Sequence, residues 1–147
     1  MSSNDAAAMT IEQQHDAIMQ CCGSLLAALA AGPGDIAVAQ VRLRLAGLLQ
    51  ANLASEEREL NAPIRRLPTA ERPRDFVRLG VEAADLRARY SEHVGRWRPA
   101  AIDADWNGYV RAATTLIQQV RDHLAAKQRV LPEWKRAALD QTRGASR

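Results

Sequence analysis

Aromatic residues are scarce in this sequence: 4% of its 147 positions, one Phe, two Tyr and three Trp. β-Branched runs are absent as well. What remains is rich in Ala and Leu, residues of high helical propensity, which puts an all-helical chain ahead of a sheet protein. No apolar run approaches the ~20 residues a membrane-spanning helix needs, so no membrane association is expected. Cysteine is limited to the adjacent pair Cys21 and Cys22. Neighbours on a helix point about 100° apart and are poorly placed to bridge one another. That excludes a disulfide framework and favours a reducing compartment. The first residues lack the basic and apolar regions of a secretion signal, which makes the expected location cytoplasmic. Charge of one sign is not concentrated either. The net charge is +3, and most Arg residues fall between apolar positions as on solvated helix faces. Nucleic-acid binders gather such charge on one stripe, so no nucleic acid is expected as partner. Gly-rich phosphate loops, nucleophile elbows and C-x-x-C pairs are missing too, and no residues set up an acid–base pair. The chain is therefore not expected to be an enzyme.

What is present is helical periodicity. A hydrophobic content of 47% and a charged content of 25% suit a globular domain, and the length suits a single one. Residues 1–9 are expected as a flexible lead-in. Thr10 with Gln13 forms a capping box that opens a first helix, on which Ile11, His15, Ile18, Cys22, Leu25 and Leu29 recur at steps of four and three. Cys22 should face the core and Cys21 lie nearer the surface. Gly32-Pro33-Gly34 stops this helix. Asp35 should cap the second, whose stripe Val38, Val41, Leu45, Leu49, Asn52, Glu56 and Leu60 runs to about Asn61, ahead of Pro63. The segment from Pro63 to Pro73 reads as the longest connection. A third helix is expected from about Arg74 to Trp97, with Phe76, Leu79, Ala83, Leu86, Tyr90, His93 and Trp97 on one face. Asp103 or Asp105 caps a fourth, with Tyr109, Ala113, Leu116, Val120, His123, Lys127 and Val130 in line. Pro132 should end or kink it. Residues 135–147 read as a basic tail holding Lys135, Arg136, Arg143 and Arg147, partly helical from Glu133. Four such helices pack most naturally as one up-down-up-down bundle over residues 10–134.

Two stretches repeat each other: Asn52-Leu53-Ala54-Ser55-Glu56 and His123-Leu124-Ala125-Ala126-Lys127. Each is followed by a Leu and a Pro, which suggests a duplicated helical hairpin. At ~1.5 Å of rise per residue, counting outward from the loops puts His15, Asn52, Glu56, His123 and Lys127 at one level of the bundle. Glu82 lies nearby, and Ala83 is the third helix's residue at that height. His93 falls about 15 Å further along by the same rise, at the opposite end with Tyr90, Trp97, Trp106 and Tyr109, as an aromatic layer. Trp there marks a candidate contact with a second copy or with an unknown protein partner.

A His early on the first helix, and a polar-x-x-x-charged motif followed by Leu and Pro near the ends of the second and fourth, resembles the hemerythrin-like (HHE cation-binding) family over residues ~10 to ~134. The resemblance implies a four-helix bundle with iron held inside it by histidines and carboxylates. Position by position, His15 matches the ligand of the first helix, Glu56 the bridging carboxylate of the second and His123 the histidine of the fourth. Asn52 stands where the family has His, Lys127 where it has a second Glu, and Ala83 at the third helix's ligand position. Lys127 opposite Glu56 would replace the missing cation with an ammonium. The expected function is therefore a binding or regulatory module with a degenerate or lost di-iron site and no cofactor. The alternative is a metal protein for oxygen or iron sensing or storage, with iron or zinc on His15, Glu56 and His123.

Overall fold

A computed structural model of the chain describes residues 3–34 and 36–145. The expected cap Asp35 and the last basic residue, Arg147, lie outside them. All regular structure among the described residues is helical. In chain order it comprises α1 (Ser3–Ala7), α2 (Ile11–Ala30), α3 (Ile36–Glu56), a π-helical turn (Glu57–Asn61), α4 (Ala62–Arg65), a 3-10 turn (Thr69–Glu71), α5 (Phe76–Arg96), α6 (Pro99–Ala104) and α7 (Trp106–Ala145).

Local signals set most helix starts. The Thr10 side chain accepts from the Gln13 N–H at 3.1 Å, and the Gln13 side chain accepts from the Thr10 N–H at 2.9 Å, so the capping box opens α2 as expected. Gly32 and Gly34 close the turn after α2 with φ of 106° and 82°, a region L side chains rarely occupy. Of the two candidate caps before α7, Asp105 takes the role: its Oδ1 accepts from the Gly108 N–H at 2.9 Å.

The prolines behave differently from their local reading. Pro63 does not end its helix. The backbone widens into the π turn just before it, where the Ala62 N–H reaches back five residues to the Glu57 carbonyl. A wider turn moves the carbonyls that a proline ring would otherwise strike, and helical chain continues to Arg65. Pro132 sits inside the 40-residue α7 without stopping it. An interior proline costs about 3 kcal/mol or more. Beyond it Trp134 and Ala138 are buried, and burying a large apolar side chain contributes about 1.5–3 kcal/mol, of the same order as that cost. The basic tail expected over 135–147 is thus helix through Ala145. The lead-in expected over 1–9 likewise holds a helix, α1, which packs on α3 with Ala6 in the core.

Helix α2 packs against α3 and α7, and α5 packs against α7, whereas α3 and α5 do not pack closely. The core divides in two. A larger cluster includes Ile18, Cys22, Leu45, Leu48, Tyr109, Ile117 and Leu124. A smaller one comprises Ile11, Leu60, Ile64, Leu79, Leu131, Trp134 and Ala138. On α2, α3 and α7 alike, the residues between the two clusters are polar. Cys21 is as fully buried as Cys22, not nearer the surface, and its thiol approaches the Val41 carbonyl at 3.7 Å. The α5 stripe is less buried than its periodicity implies: from Phe76 to Arg96 only Leu79 is buried, because no partner covers the side toward α3.

Candidate functional site

The polar level is built from α2, α3 and α7. Glu56 closes α3 and is buried; its Oε1 accepts from Lys127 Nζ at 2.7 Å and its Oε2 from His15 Nε2 at 2.9 Å. A carboxylate only accepts, so the His15 ring carries its shared proton on Nε2. His15 Nδ1 is buried with no hydrogen-bond partner. The Lys127 ammonium also lies 4.4 Å from the centre of the Trp134 ring. Lys127 and Trp134 are seven residues apart on α7, two helical turns, hence on one face. Burial alone would raise the Glu56 carboxyl; the hydrogen bond from His15 and the charge and hydrogen bond of Lys127 overcome that and hold it at about 2.

A second network continues from this pair. Gln14 Nε2 donates to the Ala6 carbonyl at 3.0 Å and to Ser55 Oγ at 2.9 Å, and Asn52 Nδ2 donates to Gln14 Oε1 at 3.1 Å. Four of the expected residues, His15, Asn52, Glu56 and Lys127, are thus drawn together, and Gln14, Ser55 and Trp134 join them. Gln14 occupies the same broad helical face as Ile11 and Ile18, so its burial was open to detection from spacing alone.

His123 takes a different place. It is half-buried, and its Nδ1 has no hydrogen-bond partner; the closest carboxylate oxygen, Oε2 of the exposed Glu82, lies 3.6 Å away, beyond hydrogen-bond length. Burial, reinforced by the charge of Lys127, pushes its pKa below the ordinary histidine value. His123 lines a groove of about 880 Å³ between α3 and α5, whose floor also carries Asn52, Glu56 and Lys127. Leu49 and Leu53 from α3 and Val77, Val81 and Leu86 from α5 give it apolar walls, and Gln50, Glu57, Asn61, Arg65 and Arg87 line it as well. Its cause lies in α5, where Gly80, Ala83 and Ala84 present side chains too small to bridge to α3. A Cβ placed on Gly80 would meet nothing within 4 Å.

The expected aromatic layer forms at the other end. The Tyr109 ring is stacked by His93 at 5.8 Å and meets Trp97 at 5.6 Å and Trp106 at 5.9 Å. Arg42 lies 5.4 Å from the Tyr109 ring centre and donates to the Trp97 carbonyl at 2.9 Å. Tyr90 lies between the two ends, lining the groove, and burial raises its hydroxyl to about 12. Burial, with the nearby Arg42 charge, lowers the pKa of His93.

The donor set at the polar level does not suit the iron that the resemblance implies. Both oxygens of Glu56 are taken by the chain's own N–H groups, and the nearest of these belongs to a cation. His123 faces Glu82, not Glu56. Among the described residues no three His, Cys, Asp or Glu side chains converge as metal ligands. No helix among the described residues is long and apolar enough to cross a membrane. Comparison with protein-family models, with characterised proteins and with solved structures finds no match to this chain.

Proposed function

We propose that this chain is a non-catalytic binding or regulatory module on a hemerythrin-like up-down four-helix scaffold, in which an internal ion pair stands where the resembled family holds metal. The observation that carries this reading is the 2.7 Å contact between Lys127 Nζ and Glu56 Oε1 inside the core. A buried carboxylate needs a compensating positive charge, and here an ammonium supplies it without any ion from solution. The same contact makes Glu56 a poor general base, because His15 and Lys127 hold its carboxyl well below the ordinary carboxylate range. The proposed location is cytoplasmic.

Protein purified from culture supplemented with iron and zinc is expected to contain neither metal in stoichiometric amount. Stoichiometric metal that disappears in His15→Ala or His123→Ala would sink the proposal. Lys127→Glu is expected to create iron affinity that the parent lacks, since it replaces the repelling cation with a carboxylate beside Glu56, His15 and His123.

A further inference from the structure

We infer that the outward faces of α3 and α5 form a contact between two copies of this chain, with α5 lying antiparallel on its counterpart. Among the described residues, six of the seven exposed large apolar side chains belong to these two helices: Ile36, Leu43 and Leu53 on α3, Val77, Val81 and Val94 on α5. Ile36, Leu43, Val77 and Val81 each stand two positions from a buried apolar residue, Val38, Leu45 or Leu79. Two positions are about 200° round a helix, so these side chains point away from the core. An occupant confined to the groove would touch Leu53, Val77 and Val81 at its rim and leave Ile36, Leu43 and Val94 in water. A layer laid across both helices covers them, and apolar patches of this kind mark protein contacts. Each helix is 21 residues long, about 30 Å by helix rise. Side by side, at about 10 Å of width each, they present roughly 600 Å², of the order of the ~800 Å² that each partner contributes to a standard interface. The aromatic end offers less, because Trp97 and Tyr109 are buried within one copy.

A two-fold contact demands a surface complementary to itself, and α5 has one. Val77, Val81, Ala84 and Ala88, all exposed, recur at steps of four, three and four, the spacing of a helix–helix seam. Reversed about an axis level with Glu82 and Ala83, α5 sets Val77 against the partner's Ala88 and Val81 against the partner's Ala84. Each contact pairs a larger side chain with a smaller one. The same register faces Arg78 with the partner's Asp85, twice by symmetry. Arg87 falls over the partner's Gly80, so like charges do not meet there. Glu92 and Arg96 run past the start of the partner helix. Within one copy Arg78 also reaches Asp75 at 3.2 Å and Glu82 at 3.3 Å, and Asp85 reaches Arg89 at 3.1 Å; such exposed pairs are weak enough to be shared. The groove's own charges are compensated inside one copy. Arg65 pairs with Glu57, each about half exposed, and Arg87 acts on the same carboxylate. Lys127 meets Glu56, and His123 faces Glu82. The contact thus asks for no counter-charge from a foreign chain, and it is independent of whether the core holds metal.

Sedimentation equilibrium of the full chain tests it. Between about 1 and 200 µM the mass is expected to rise from that of one chain, 16.1 kDa, to twice that value. Val81→Glu, which sets a charge in the apolar seam, should weaken the dimer by about tenfold or more. Val77→Lys, also on the exposed face, does the same should Val81→Glu lose the helical circular dichroism of the parent. Leu139→Glu, exposed on α7 away from this face, should leave the dimer unchanged. Asp85→Arg should weaken it by about tenfold, by turning an attraction between copies into a repulsion. Adding Arg78→Asp to that variant should restore it, because the two charges are then exchanged. A chain that stays monomeric across the whole range overturns the inference and leaves the face to a foreign partner. A dimer that survives both valine variants, or is broken as much by Leu139→Glu, places the contact elsewhere and overturns it too. Failure of the charge exchange to restore association overturns the antiparallel pairing of α5.

Discussion

Of the cations that lie against aromatic rings, Lys127 and Arg42 are held in opposite ways. Lys127 is buried, 4.4 Å from the centre of the Trp134 ring, with Glu56 as its counter-charge. Arg42 is half-buried, 5.4 Å from the centre of the Tyr109 ring, and donates to the Trp97 carbonyl. The ring contact is common to both, so it is not what decides the difference. Burial decides it. A cation that keeps part of its hydration is adequately served by a ring face and a carbonyl dipole, each worth on the order of 1 kcal/mol. A cation with almost none needs a full opposite charge, and that charge in turn needs hydrogen bonds of its own.

The largest effect should come from breaking the buried pair on one side. Lys127→Ala leaves the Glu56 carboxylate in the core with only His15, and an expected loss of about 3–5 kcal/mol in urea unfolding follows from an uncompensated buried charge. Replacing both partners, as Glu56→Gln with Lys127→Met, should restore stability to within about 1 kcal/mol of the parent, because the desolvation of both charges is removed together. If the double variant were as unstable as the single one, charge compensation would not be the reason for the pair.

Acid offers the next largest effect. The folded Glu56 carboxyl is held at about 2, below its ordinary 4.5. Its contribution is therefore fully present above pH 4.5 and is lost as pH falls from there toward 2. The depression corresponds to on the order of 3 kcal/mol. Urea midpoints measured across that window should fall in the parent and show a shallower decline in Glu56→Gln. The smallest effect belongs to the other cation. Arg42→Met should cost about 1 kcal/mol, the scale of one hydrogen bond and one half-exposed ring contact, in the same unfolding measurement. A loss as large as that of Lys127→Ala would erase the distinction between the two sites.

Much of this arrangement was legible in the residues. Spacing placed His15, Asn52, Glu56, His123 and Lys127 at one level; His15, Glu56 and Lys127 are hydrogen-bonded together there, Asn52 bonds to Gln14 instead, and His123 turns toward Glu82. Capping chemistry marked the starts of α2 and α7, because a cap is satisfied within four residues and depends on little else. The prolines misled for the opposite reason. Whether a helix survives Pro63 or Pro132 depends on what is buried beyond it, and Ile64 and Trp134 find their neighbours on distant segments. Trp134 was hidden by the same error, since a tail after a helix stop has no partner for a cation. The groove was unreadable because the α5 stripe has a proper helical period. Periodicity says which residues share a face, not whether another helix covers it.

The Glu56–Lys127 contact joins residues 71 positions apart, and that separation bears on how the chain acquires its shape. During synthesis α2 and α3 exist long before α7 does. Until Lys127 arrives, Glu56 has the hydrogen bond from His15 of α2 but not the ammonium that balances its charge. Pairing at such a distance in sequence also carries a loop-closure entropy that must be met before the contact rewards it. Compensation of the Glu56 charge is thus a long-range contribution that only the last helix supplies.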